Sequence, residues 1–216
     1  MRTRKALWLL LATAFFCVAG KLRAQIGDGW TQYYPSLVFH HAAYGHLYTQ
    51  RPVPDYFDDG LAHYDNDGTV ENFALYNHSS NRVEIRVQND YTSGMRQFEG
   101  WFWADAPTEN ECIMQVFGGS THATAAMFRV FNTNGGELRH YTSGSIASGI
   151  FGNWTQLNVI HDADAGWVYA YINGDFAGQW PDNGPATHYF KYGIYGTHDD
   201  AHPAYVSWTS VSFYRQ

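Results

Sequence analysis

Two cysteines in 216 residues leave no room for a disulfide framework. Cys17 lies in an apolar N-terminal run, so Cys112 stands alone in "ECIMQVFGG", a setting that reads as a buried apolar side chain. Charge is also sparse, at 15% of residues, and positive charge is sparser still, with 13 Lys and Arg against 20 Asp and Glu. That balance argues against general nucleic-acid binding, which needs a basic face. The one long apolar run is "ALWLLLATAFFCVAG", directly after the basic "MRTRK". It is shorter than the ~20 residues a spanning helix needs, so residues 1–24 are expected to be a signal peptide rather than a membrane anchor. Cleavage is expected after Ala24, with Gly20 as the alternative. The mature chain is then secreted, free of the membrane and monomeric, and "NHS" at 77–79 and "NWT" at 153–155 become glycosylation sequons in a eukaryotic host. With Arg2, Arg4, Lys5, Lys21 and Arg23 removed, only 8 basic residues remain, and each becomes informative.

Helix-period segments are missing as well. In their place stand 21 glycines and 18% aromatic residues. From residue 82 onward, period-2 stretches recur: "RVEIRVQN", "RQFEGWFW", "CIMQVFG", "TAAMFRVF", "ELRHYTS", "WTQLNVIHDA", "GWVYAYING", "HYFKYGIYG" and "AYVSWTSVSFYR". Turns such as "NTNGGE" and "DADAG" separate them, and "DADAGWVYAYINGDFAGQW" reads as a hairpin with an Asn-Gly turn. Residues 25–75 read as irregular. No linker or repeat divides the chain. The expectation is one all-β domain over residues 25–216, a jelly roll of two antiparallel sheets.

The strand "RVEIRVQN" alternates Val83, Ile85 and Val87 with Arg82, Glu84, Arg86 and Gln88. A row of guanidinium groups suits an anionic ligand. By the same alternation Gln115 shares a face with Ile113 and Phe117, and Lys191 shares one with Tyr189, Gly193 and Tyr195. Arg82 to Arg86 spans ~13 Å at ~3.3 Å per residue, the length of several units of an extended polymer.

"RVEIR", "QVF" and "YFKYGIY", in this order, resemble the three signature strands of alginate lyases of polysaccharide lyase family 7, R-S/T-E-L-R, Q-I/V-H and Y-F-K-A-G-x-Y-x-Q. Longer stretches, "NDYTSGMRQFEGW", "CIMQVFGGSTHAT" and "LNVIHDADAG", are similar to the glucuronan lyases of family 20 and to plant citrate-binding proteins. The resemblance covers roughly residues 50–216. It implies a concanavalin-like β-jelly roll with a concave substrate groove, and β-elimination of a uronic-acid polymer that requires no cofactor. Arg82, Glu84 and Arg86 match the arginine strand, Gln115 the glutamine, Lys191 the lysine and Tyr195 the catalytic tyrosine. Tyr189 joins Glu84, Arg86 and Lys191 as an expected substrate contact. The family's histidine is Phe117 here and its final glutamine is Thr197. His78, just before the arginine strand, is the expected source of an imidazole.

Elimination removes H5 beside an ionised carboxylate and expels the 4-linked sugar. The site must neutralise that carboxylate, take the proton and protonate the leaving oxygen. Arg82, Gln115 and His78 are expected in the first role and Tyr195 in the other two. One tyrosine serving both suits syn elimination, hence glucuronan first and polymannuronate next. The expected partner is thus an acidic polysaccharide. The alternative is a non-catalytic protein that holds a carboxylate ligand or an acidic glycan. "YDNDGTVEN" offers Asp65, Asp67 and Glu71 to a structural calcium, or is a solvated turn. His198, Asp199, Asp200 and His202 invite a zinc reading. Glu84 and Glu99 would be the carboxylates of a retaining glycosidase, the reading ranked third.

Overall fold

A computed structural model describes residues 26–77, 80–196 and 203–216. The segment expected to be a signal peptide, His78, Thr197 and the residues from His198 to His202 lie outside the described residues. Among the described residues every regular element is a strand. No helix there is long and apolar enough to cross a membrane.

The strands are β1 (Thr31–Tyr33), β2 (Ser36–Ala43), β3 (His46–Gln50), β4 (Tyr56–Asp58), β5 (Ala62–Asn66), β6 (Val70–Leu75), β7 (Arg82–Gln88), β8 (Met95–Asp105) and β9 (Glu111–Phe117). They continue as β10 (Thr124–Phe131), β11 (Glu137–His140), β12 (Ser145–Ser148), β13 (Thr155–Asp162), β14 (Trp167–Ile172), β15 (Asp175–Pro181), β16 (Tyr189–Tyr195) and β17 (Ala204–Arg215). They form two antiparallel sheets. One runs β15-β14-β13-β8-β17-β6-β5-β4, with β1 added on β17; the other runs β12-β11-β10-β9-β16-β7-β2-β3. The chain is an all-β jelly-roll sandwich.

Alternation explains why these stretches are strands. Val83, Ile85 and Val87 of β7 are fully buried, as are Phe190 and Ile194 of β16, and they meet Phe73, Phe98, Phe102, Leu157, Val159 and Trp208 from the opposite sheet in a single core. Phe98 makes the central contacts, 5.4 Å from the Trp208 ring, 5.8 Å from Tyr192 and 6.2 Å from Phe190. Cys112 is buried and free, as its setting implied.

Residues 25–75 are not irregular: β1 to β6 lie there. Two causes hid them. β3 is exposed along its whole length and so carries no apolar alternation. β2 does alternate, but its pattern of Val38, Phe39, His40 and His41 has a buried residue on both faces. β2 pairs with β7, putting His40 directly across from Glu84.

Candidate functional site

The three strands singled out by their polar residues are neighbours, β9-β16-β7, in the middle of the eight-stranded sheet. Their register sets side chains in rows across the face that points away from the core. In one row Val38, Arg86, Lys191, Gln115 and Met127 are successive cross-strand partners. In the next stand His40, Glu84 and Gly193, and beyond it Ala42, Arg82, Tyr195, Cys112 and Arg129. Successive rows on one face lie ~7 Å apart.

Ile113 departs from the expected face and belongs to the core. The cause is a bulge: Phe128 pairs with Met114 but Arg129 with Cys112, so β9 has one residue more than β10 at that point. A second irregularity, between Tyr192 and Tyr195 on β16, falls at the same level and brings Tyr195 opposite Cys112. Gly193 sits in it at φ 119°, and a Cβ there would meet the Val83 carbonyl oxygen at 2.7 Å. Only glycine fits both demands.

Glu84 organises the centre. It is 1% exposed and accepts from Lys191 Nζ at 2.9 Å, Gln115 Nε2 at 2.9 Å and Arg82 Nη1 at 3.2 Å. Gln115 and Lys191 are themselves 3% and 4% exposed. Both are therefore held within the sheet face, and the Lys191 charge is matched inside the protein. Arg86 gives a two-oxygen ion pair to Asp90, at 2.8 and 2.9 Å, and lies 4.0 Å over the Tyr189 ring. Tyr189 in turn stacks on Phe117 at 4.8 Å. The three cations of the three strands face two carboxylates, leaving one unit of positive charge. Arg82 carries it most openly: it is half-buried, donates Nε to Asn81, and stands 4.7 Å over the Tyr195 ring.

The described residues supply an imidazole that the sequence reading missed. His40 is nearly buried and its Nδ1 has no partner among them. Burial lowers its pKa to about 4; the Glu84 carboxylate opposes that, and Lys191, Arg82 and Arg86 reinforce it. The ring is neutral near pH 7. Burial also raises Tyr189, against the pull of Arg86. Arg129 was missed as well. Its guanidinium bonds Asn110 and the Met127 sulfur and extends the polar face past Tyr195. The alternation Val38-His40-Ala42 was the available signal for His40; the bulge hid the place of Arg129.

The other candidates do not gather. Asp65 accepts from Asn72 and contacts His63, Asp67 caps the amides of Thr69 and Val70, and Glu71 accepts from Tyr64 and Tyr192 on the core side. Among the described residues Asp65, Asp67 and Glu71 do not come together as a metal-sized group of ligand atoms. Glu84 and Glu99 lie on different sheets, on β7 and β8, so they are not a glycosidase pair.

This sandwich, with its arginine strand beside the tyrosine strand, is of the alginate-lyase type in fold. Alginate lyase AlgAT5 from polysaccharide lyase family 7 superposes with a TM-score of 0.64 over 84% of this chain and 95% of that one, at 15% identity. Alginate lyase AlyC3 in complex with dimannuronate superposes at 0.61 over 83% and 89%, with 8% identity. At such identities the likeness fixes the fold. In sequence, the citrate-binding protein of Hevea brasiliensis is 40% identical over 136 residues, which cover 62% of this chain and 56% of that protein's length. No family model matches the chain.

Proposed function

We propose that the protein is a secreted polysaccharide lyase that binds a β-1,4-linked polyuronate along the β7-β16-β9 face and cleaves it by β-elimination, with glucuronan favoured over polymannuronate. The observation that carries this reading is the row Arg82-Tyr195, a phenol beneath a guanidinium, flanked one row away by Glu84 and His40. In this reading Arg82 uses its remaining N–H donors to pair with the uronate carboxylate, and a second N–H of Gln115 donates to the same group. Charge that builds up as H5 leaves is thereby stabilised. Tyr195 takes H5 and returns a proton to the leaving oxygen on the same side of the ring. Glu84 touches no substrate; it holds Gln115, Lys191 and Arg82 at fixed positions. The Arg86-Tyr189-Phe117 stack is a platform for the next sugar. That a relative in fold binds dimannuronate supports a uronate ligand.

The relationship to a citrate-binding protein favours a second reading, in which the same donors hold a small carboxylate without chemistry. The test is incubation with glucuronan, polymannuronate and polyguluronate while the ultraviolet absorbance of the unsaturated product is followed. A rise with the first two supports the lyase. No rise with any, together with saturable binding of citrate, would replace it with the carrier.

A further inference from the structure

At one end of the sandwich, between the sheets, lies a second polar cluster that the proposed chemistry does not use. His161 comes from β13, Asp182 from just beyond β15, and His188 from just before β16. Their exposures are 0%, 4% and 1%. One donor atom from each lies within 4.8 Å of the other two. Nε2 of His161 is 3.1 Å from Oδ2 of Asp182, and Nε2 of His188 is 4.0 Å from the same oxygen.

We propose that this His161-Asp182-His188 cluster is a binding site for a divalent transition-metal ion of the zinc class. Two imidazoles and a carboxylate are ligands that such ions take, and a hard, oxygen-seeking cation such as calcium would not choose them. Bonds of 2.0–2.2 Å in a tetrahedron put donor atoms about 3.3 Å apart. The His161-Asp182 pair stands near that spacing already, at 3.1 Å, and the His188-Asp182 distance of 4.0 Å would have to shorten by about 0.7 Å to reach it. The fourth position falls to water.

The surroundings are built as a ligand shell. Nδ1 of His161 is 2.7 Å from the hydroxyl of Tyr91, which can accept its N–H and so point Nε2 at the ion. The second oxygen of Asp182 accepts the Gly184 amide at 2.8 Å, which leaves Oδ2 for the metal. The His188 ring is wedged against Gly118, where a Cβ would come within 2.9 Å of Nδ1. The ion would tie β13 of one sheet to the residue that precedes β16 of the other, next to Tyr189. Tyr91 also follows Asp90, the partner of Arg86. The site is therefore a brace behind the polar face rather than part of it.

The test uses the full chain without a polyhistidine tag, stripped with chelator and titrated with Zn²⁺, Co²⁺ and Ca²⁺. The expected result is one Zn²⁺ per chain, and a melting temperature raised by about 5–10 °C at a hundredfold excess over Kd. Co²⁺ should give the visible spectrum of a tetrahedral nitrogen-oxygen site, and Ca²⁺ no shift. His188→Gln and Asp182→Asn should abolish the Zn²⁺ effect, and Tyr91→Phe should weaken binding about ten- to a hundredfold. Replacing both His198 and His202 with glutamine should leave it intact. No stoichiometric Zn²⁺ or no Co²⁺ spectrum in the unmutated chain would overturn the proposal even where a variant fails to fold. So would binding that survives His188→Gln, is lost with His198 and His202, or is matched by Ca²⁺.

Discussion

Glu84→Gln is expected to unfold the site rather than merely weaken a ligand. The carboxylate is 1% exposed and receives three donors, two of them cationic. The substitution keeps the shape and removes the charge. It leaves the Lys191 ammonium, 4% exposed, with no counter-charge and with the Arg82 guanidinium nearby. Removing one partner of a buried ion pair costs about 3–5 kcal/mol, or about 6–20 °C in melting temperature for a chain of this size. Lys191→Met should cost less, because Arg82 and Gln115 still hold Glu84. The double variant should be more stable than Glu84→Gln alone, since no buried charge is then stranded, and the coupling energy should exceed about 1 kcal/mol. Urea titrations of the four proteins, followed by tryptophan fluorescence, complete the cycle. A cost below about 1 kcal/mol for Glu84→Gln, or costs that simply add, would mean that Glu84 does not neutralise Lys191 within the sheet face.

Three further outcomes are expected. Arg82→Ala should weaken polymer binding and turnover together by roughly ten- to a hundredfold, the ~1.5–3 kcal/mol of a hydrogen bond to a charged group; a loss under about twofold in a folded variant would remove Arg82 from the site. His40→Ala should keep the fold and lower turnover about a hundredfold if its imidazole, whose Nδ1 has no partner among the described residues, serves the substrate; unchanged turnover, with activity lost in His78→Ala, would give the role to His78. Glu99→Gln should raise stability more at pH 8 than at pH 5. Burial raises the Glu99 carboxyl to about 7, against a hydrogen bond from Gln156, so its folded state is favoured at low pH and loses up to about 3 kcal/mol as pH rises through 7. Equal shifts at the two pH values would contradict that environment.

The sheet face was legible where polar residues alternate with apolar ones. Arg82, Glu84 and Arg86 announce one face of β7 because Val83, Ile85 and Val87 announce the other, and β16 reads the same way. That these strands are neighbours follows from pairing over long sequence distances, which no local pattern carries. His40 was hidden because β2 is buried on both faces, so its alternation lacks a polar side. Ile113 was assigned to the wrong face because a bulge shifts the period by one residue and leaves no mark in composition. The sequence also could not show that Lys191 and Arg86 are already paired. Two of the three cations that suggested an anion site are matched by Glu84 and Asp90, and the charge left for a ligand is smaller than the count implied. The His161-Asp182-His188 cluster spreads over 28 positions, from β13 to the two ends of the segment joining β15 to β16, and only the packing of the sheets brings it together.

The central claim is that Tyr195 moves the proton in an elimination, and Tyr195→Phe tests it most directly. The substitution removes one oxygen and keeps the ring under Arg82, so fold and binding should survive. Turnover of glucuronan, measured as unsaturated product, should fall at least ~10²-fold while polymer affinity, measured separately by calorimetry, changes little. Turnover close to that of the unmutated protein would contradict the account.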